Sequence, residues 1–192
     1  IKPFPDTANH LAAASIISQY TEAGTPYQEL FDLDVGIRPN TLHLHIVSSG
    51  FLGHPMTAAH IIFTLFVIVT PLLIWSIIRV TGGNQWAVLL SFPFLYSFTV
   101  AYGFTEFMMS IPFLLATILA LFIWIQRPSW LSWIALALLF FLASWAHVFV
   151  FVFSVMMIVL TILIRYRKQP TLCFLGFASI IPGTIMIAIW YT

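Results

Sequence analysis

From Trp130 to Ile164 the chain runs for 35 residues without one Asp, Glu, Lys or Arg. Soluble domains carry about 25% charged residues, so a run of this length belongs in a membrane. As one straight helix it would be about 52 Å long, well beyond a hydrocarbon core of about 30 Å. The stretch is therefore expected to be two short helices that meet at Ser144-Trp145-Ala146-His147. The rest of the chain agrees: 61% of its residues are hydrophobic, 7% are charged and its mean hydropathy is +1.02.

A spanning helix needs about 20 mainly apolar residues. Met56 to Ile78 is one such run, closed by Arg79 and Gly82-Gly83. Trp86 to Tyr102 is a shorter one with Pro93 inside it, and Met108 to Ile125 a third, closed by Gln126-Arg127-Pro128. The two halves of 130–164 make the fourth and fifth. A sixth starts at Thr171 and contains Pro182-Gly183. The expected fold is all-α: a polytopic transmembrane bundle of about six runs over 56–192, behind an N-terminal loop over 1–55 holding short membrane-parallel helices. Without a leading Met, and with its last residues in or just after an apolar run, the chain reads as a fragment of a longer protein.

Lys and Arg concentrate on the cytoplasmic side of short loops. Arg79, Arg127 and the cluster Arg165, Arg167 and Lys168 end alternate runs, which puts five of the seven Lys and Arg residues on that side. All six acids and all six histidines then fall on the other. The expected location is a bacterial inner membrane, multi-pass, with residues 1–55 extracytoplasmic. A net charge of +1 leaves no electrostatic footprint for nucleic acid. One cysteine, Cys173, excludes an internal disulfide and a thiolate metal cluster.

The loop is where chemistry would sit. Asn9 to Tyr20 reads as an amphipathic helix with Leu11, Ala14 and Ile16 or Ile17 on one face. Asp6 and His10, four apart, share a face of any helix through them. That pair suits base or metal chemistry, and equally an Asp that only caps a helix starting near Thr7. Asp32-Leu33-Asp34 in an extended loop could hold a divalent cation with a diphosphate, or be a solvated acidic loop. His43 and His45 have chelating spacing but lie on different faces of a helix, which favours an interfacial role over metal binding. His60 sits one turn inside the first long run, facing either a cavity or the interface. Glu106 is a loop carboxylate or a polar-group binder, and His147 a helix cap or a site residue. The tryptophans near run ends are the belt of any such protein.

The order Asp6-Thr7-Ala8-Asn9-His10-Leu11, then Arg38-Pro39-Asn40-Thr41-Leu42, Tyr102-Gly103-Phe104-Thr105-Glu106-Phe107 and the Trp145-Ala146-His147 turn resembles the bacterial membrane glycosyltransferases of the GT-C type. More narrowly, it is similar to their relatives with a D-x-x-x-H-L opening and a G-F-x-x-F loop. The resemblance spans nearly the whole chain on short motifs. It implies a spanning helix before a long extracytoplasmic loop with a catalytic Asp and a membrane-parallel helix, then short helices in zigzag. On that resemblance Asp6 deprotonates an acceptor hydroxyl, oriented by His10, while a sugar leaves a polyprenyl phosphate. Asp32, Asp34, Arg38, Asn40, Glu106 and His147 are the implied substrate-binding set. Lys2 and Arg38 are the only outer cations, so the lipid-phosphate clamp is expected elsewhere in a longer chain. Membrane lipid is the implied partner, and a divalent cation is an open candidate cofactor.

Three rival readings stand beside it. A non-catalytic subunit of a larger membrane complex would bind protein partners and tolerate Asp6→Asn. A transporter would want polar groups at mid-bilayer, where Met108 to Ile125 offers only Ser110 and Thr117. Metal or pigment binding through the outer histidines ranks last, because each histidine taken singly has a blander explanation.

Overall fold

The computed structural model describes residues 6–191, apart from the side chains of residues 98 and 99; among them all regular secondary structure is helical, joined by turns and loops, with no strand. Lys2 lies outside them. In chain order the helices are α1 (Thr7–Ser18), α2 (Tyr27–Leu30), α3 (Leu42–Ser48), α4 (Pro55–Thr81), a 3₁₀ segment (Gln85–Ser91), α5 (Phe92–Leu95), α6 (Phe98–Tyr102), α7 (Thr105–Gln126), α8 (Trp130–Ala146), α9 (Val148–Thr161), continued by a π turn (Ile162–Tyr166), and α10 (Pro170–Tyr191). Among the described residues, four stretches are long and apolar enough to cross a membrane: Pro55–Thr81, Thr105–Gln126, Val148–Tyr166 and Pro170–Tyr191. Their length and composition make this a membrane protein.

Six apolar runs do not become six such helices. The run from Trp86 to Tyr102 is broken into a 3₁₀ segment and two short helices. Pro93 sits in the first turn of α5, where its missing N–H costs little. Trp130–Ala146 is apolar yet only 17 residues long. The break inside the charge-free stretch falls at His147, whose backbone is extended at φ −165°, ψ 126°. Ser129 opens α8 with a reciprocal capping box to Ser132, and the His147 side chain accepts from Phe149 N–H to cap α9.

Two sets of contacts define the ends of the bundle. At one end Gln126 Nε2 donates to the Val80 carbonyl at 3.0 Å, Tyr166 Oη to the Ile125 carbonyl at 3.2 Å, and Cys173 Sγ to the Tyr166 carbonyl at 2.8 Å. At the other, Asp6 N–H donates to the Tyr102 carbonyl at 3.0 Å and Val148 N–H to Asn40 Oδ1 at 3.0 Å. Since α7 is 22 residues, about 33 Å, long, the broken segment after Thr81 carries the chain from the first end back to the second.

The α7–α10 half packs around buried Trp124, Leu136, Phe140, Phe151 and Ile158. Helices approach tightly at Gly183, where an added Cβ would stand 2.5 Å from Phe151 and 2.9 Å from the Phe140 carbonyl. Small residues let apolar helices meet backbone to backbone, which stabilises bundles in lipid. A second apolar cluster of Ala14, Val47, Ala58 and Ile62, with Leu11 and Leu44 against it, fastens α1 and α3 to the start of α4. That packing holds α1 and α3 across one end of the bundle.

Candidate functional site

Asp6 occupies the N-cap position of α1 but its side chain caps nothing. Its backbone carbonyl accepts from Asn9 and His10 N–H, while its Oδ2 lies 3.1 Å from His10 Nε2. Both readings of the Asp6–His10 spacing thus meet in one residue: the backbone starts the helix and the carboxylate is left for the imidazole. The ring's other nitrogen, Nδ1, is 3.0 Å from His43 Nε2 on α3, 33 residues away. The rings stand edge to face, 4.6 Å between centroids. Opposite, Glu106 in the first turn of α7 brings Oε1 to 3.7 Å from His10 Nε2. Gly103, at φ +79°, makes the turn that aims α7 at the pair; a side chain there would be strained.

His43 is 2% exposed. Burial first, then the neighbouring His10 ring, push its pKa down from 6.5 to about 3, so it is a neutral imidazole at any physiological pH. Its Nδ1 makes no hydrogen bond of ordinary geometry, although the Asn40 backbone one turn back favours a proton there. Asp6 and Glu106 keep partial access to solvent, with side chains 34% and 28% exposed. The carboxylates and His10 line a cavity of about 270 Å³, walled otherwise by Phe104, Phe107, His147 and Phe149. Burial also holds the His147 imidazole below its ordinary range.

Of the residues singled out from sequence, Asp6, His10, Glu106 and His147 share this cavity. Asn40 stands at its back: Oδ1 caps Val148 N–H, and the backbone takes φ +66°, a left-handed angle that Asn tolerates better than most residues. The neighbouring Thr41 Oγ1 accepts from Trp145 Nε1 at 3.1 Å. The Arg38-to-Leu42 motif therefore clamps the α8–α9 turn that carries His147. Asp32, Asp34 and Arg38 are not among the cavity residues. All three are exposed on the loop before α3, with Arg38 ion-paired to Asp34. His45 faces away from His43, toward the Gly36 carbonyl at 3.3 Å and the Trp145 ring. His60 is exposed along α4, and His54 caps that helix by accepting from Met56 N–H.

His43 is the residue that its sequence pattern undervalued. Weighed only with His45, it reads as interfacial; yet it shares a helix face with Ile46 and Val47, three and four residues on, and that face is the buried one. Across one membrane-side apolar groove of about 230 Å³, Ile46, Leu52, Ile62, Phe66 and Met109 line a wall with no charged group. Ile46 follows His43 by one turn and Met109 follows Glu106 by one turn, so the groove adjoins the polar cluster along both helices. No protein-family model, curated protein or solved structure matches this chain.

Proposed function

We propose that the chain is the site-bearing part of a membrane glycosyltransferase of GT-C-like architecture, moving a sugar from a polyprenyl-phosphate donor to an acceptor on the outer face. The observation that carries this reading is the cavity itself: a carboxylate oriented by a histidine, with a second carboxylate and three aromatic rings, at the membrane end where an apolar groove adjoins it. A donor with a polar head and a hydrocarbon tail suits that pairing, the head in the cavity and the tail along Ile46, Ile62 and Met109.

In this mechanism Asp6 takes the proton of the acceptor hydroxyl. The acceptor oxygen forms its bond to the anomeric carbon as the bond from that carbon to the phosphate oxygen breaks, and the lipid phosphate leaves as an anion. His10 holds one oxygen of Asp6, which keeps the carboxylate in one orientation through the reaction. Glu106 accepts hydrogen bonds from sugar hydroxyls, and Phe104, Phe107 and Phe149 offer faces to its C–H side. Sidedness rests on the cations: Arg79, Arg127, Arg165, Arg167 and Lys168 belong to the end of the bundle opposite Asp6, which the positive-inside rule assigns to the cytoplasm.

Native mass spectrometry of the full protein in mild detergent tests the donor class. A bound polyprenyl-phosphate lipid, weakened by Met109→Trp in the groove, is the expected result. Retention of bulk phospholipid alone, or stoichiometric protein partners in its place, would favour a non-catalytic membrane subunit.

A further inference from the structure

His10 and His43, taken as neutral rings, bring two ring nitrogens face to face, His10 Nδ1 to His43 Nε2 at 3.0 Å. A neutral imidazole carries one proton on two nitrogens. Asp6 can only accept, so the His10 proton belongs on Nε2, 3.1 Å from Asp6 Oδ2, and Nδ1 presents a lone pair to His43. If His43 answers with a proton on Nε2, its buried Nδ1 is left as a bare lone pair against the Asn40 backbone. If its proton sits on Nδ1 instead, two lone pairs face each other across 3.0 Å. With both rings neutral, either arrangement leaves a desolvated polar atom unsatisfied, which is costly in protein interiors; a second proton or a metal cation between the rings relieves it.

A cation between the two facing lone pairs removes the conflict. We infer that His10 Nδ1, His43 Nε2 and the Glu106 carboxylate form a three-ligand site for a divalent transition metal of the zinc type, with Asp6 orienting His10. One ligand atom from each of the three residues lies within 4.8 Å of the others; Glu106 Oε1 stands 3.7 Å from His10 Nε2, so ligation beside Nδ1 requires its carboxylate to swing toward that nitrogen. Two nitrogens on a tetrahedral zinc at about 2.0–2.1 Å each stand about 3.3 Å apart, a few tenths of an ångström from the 3.0 Å seen. Asp6 to Nε2–H of a ligating histidine is the outer carboxylate that metal-bound imidazoles commonly carry. With the metal in place, His43 keeps its proton on Nδ1, on the side of the Asn40 backbone, and the two facing lone pairs are both used.

The donor set selects the metal. Two imidazoles and one carboxylate suit zinc and its transition-metal neighbours, whereas magnesium and calcium prefer oxygen alone. Three protein ligands leave a coordination position open, and since His10 and Glu106 both line the cavity, that position faces the space where substrate would enter. The site does not depend on sugar transfer: a different reaction at the same cavity would leave its ligands unchanged.

The test is metal content by elemental analysis of the full protein, then Co(II) titration of chelator-treated protein followed by visible absorption. About one zinc per chain and the intense bands of tetrahedral Co(II) are expected. His43→Ala and Glu106→Gln should abolish stoichiometric binding, and Asp6→Asn should weaken it about 10–100-fold. Because His43 is buried, Glu106→Gln, at a half-buried position, carries the test should His43→Ala fail to fold. Sub-stoichiometric metal in the wild type, or undiminished Co(II) affinity in Glu106→Gln with its helicity intact, would overturn the site. Active protein that as purified holds no stoichiometric metal and takes up no Co(II) would sink the metal site alone; metal without transfer would sink the glycosyltransferase reading alone.

Discussion

At the residue scale two side chains matter most, Asp6 and the buried His43. His43 makes a pH prediction whose sign is fixed. Its folded pKa, about 3, lies below the unfolded value of 6.5. Between those values the unfolded chain binds the extra proton, so stability is full above about pH 6.5 and is lost as pH falls toward 3. The loss can reach about 1.4 kcal/mol per pH unit for one proton. Thermal unfolding of chelator-treated protein from pH 7 to pH 4 should show it, and His43→Gln should flatten it. An equally steep profile in that variant would assign the acid sensitivity to other groups. Asn40 gives a second prediction. Asn40→Gly keeps the left-handed angle but loses the Val148 cap, and Asn40→Ala loses both. Tm should fall in both, further for Ala, with a cap worth about 1 kcal/mol.

At the element scale the helix ends were legible and the partnerships were not. His147 interrupts the charge-free run because one helix of that length cannot fit the membrane, an argument that needs only residue count. Composition failed at Trp86 to Tyr102, where a 3₁₀ start breaks a run that hydropathy alone reads as one span. The meeting of α1 with α3 was hidden because each is short, and 33 residues separate His10 from His43. Asp32 and Asp34, the more conspicuous acidic pattern, ended in an exposed loop, since a two-residue spacing carries no information about what lies across from it. Helix crossings supply the third prediction. Gly183→Ala meets backbone at 2.9 Å and a ring at 2.5 Å, while Gly176→Ala meets the Ile162 side chain, at 2.7 and 3.0 Å, and no backbone. Overpacking costs about 1–3 kcal/mol, so thermal stability in detergent should drop more for Gly183→Ala than for Gly176→Ala. Equal losses would mean that the Phe140–Gly183 crossing is not the rigid one.

At the scale of the whole molecule, the bundle has a polar end and a cationic end, and the proposal needs the polar end outside. Single cysteines introduced at Glu22 and at Lys168, both exposed, in a Cys173→Ser background should divide cleanly. A membrane-impermeant thiol reagent applied to intact cells is expected to label position 22 and spare position 168. The reverse pattern would turn the site toward the cytoplasm and remove the outer acceptor. The carboxylate–histidine pair was visible in the sequence as a spacing; its cavity was not, because Phe104, Phe107, His147 and Phe149 arrive from two other helix ends. The most direct measurement of the central claim is the rate of sugar transfer from polyprenyl-phosphate donors in proteoliposomes, wild type beside Asp6→Asn. Removing a positioned base should lower the rate about 10²–10⁴-fold with insertion and helicity unchanged. Transfer at the wild-type rate by folded Asp6→Asn protein would contradict the assignment of this cavity as the site of chemistry.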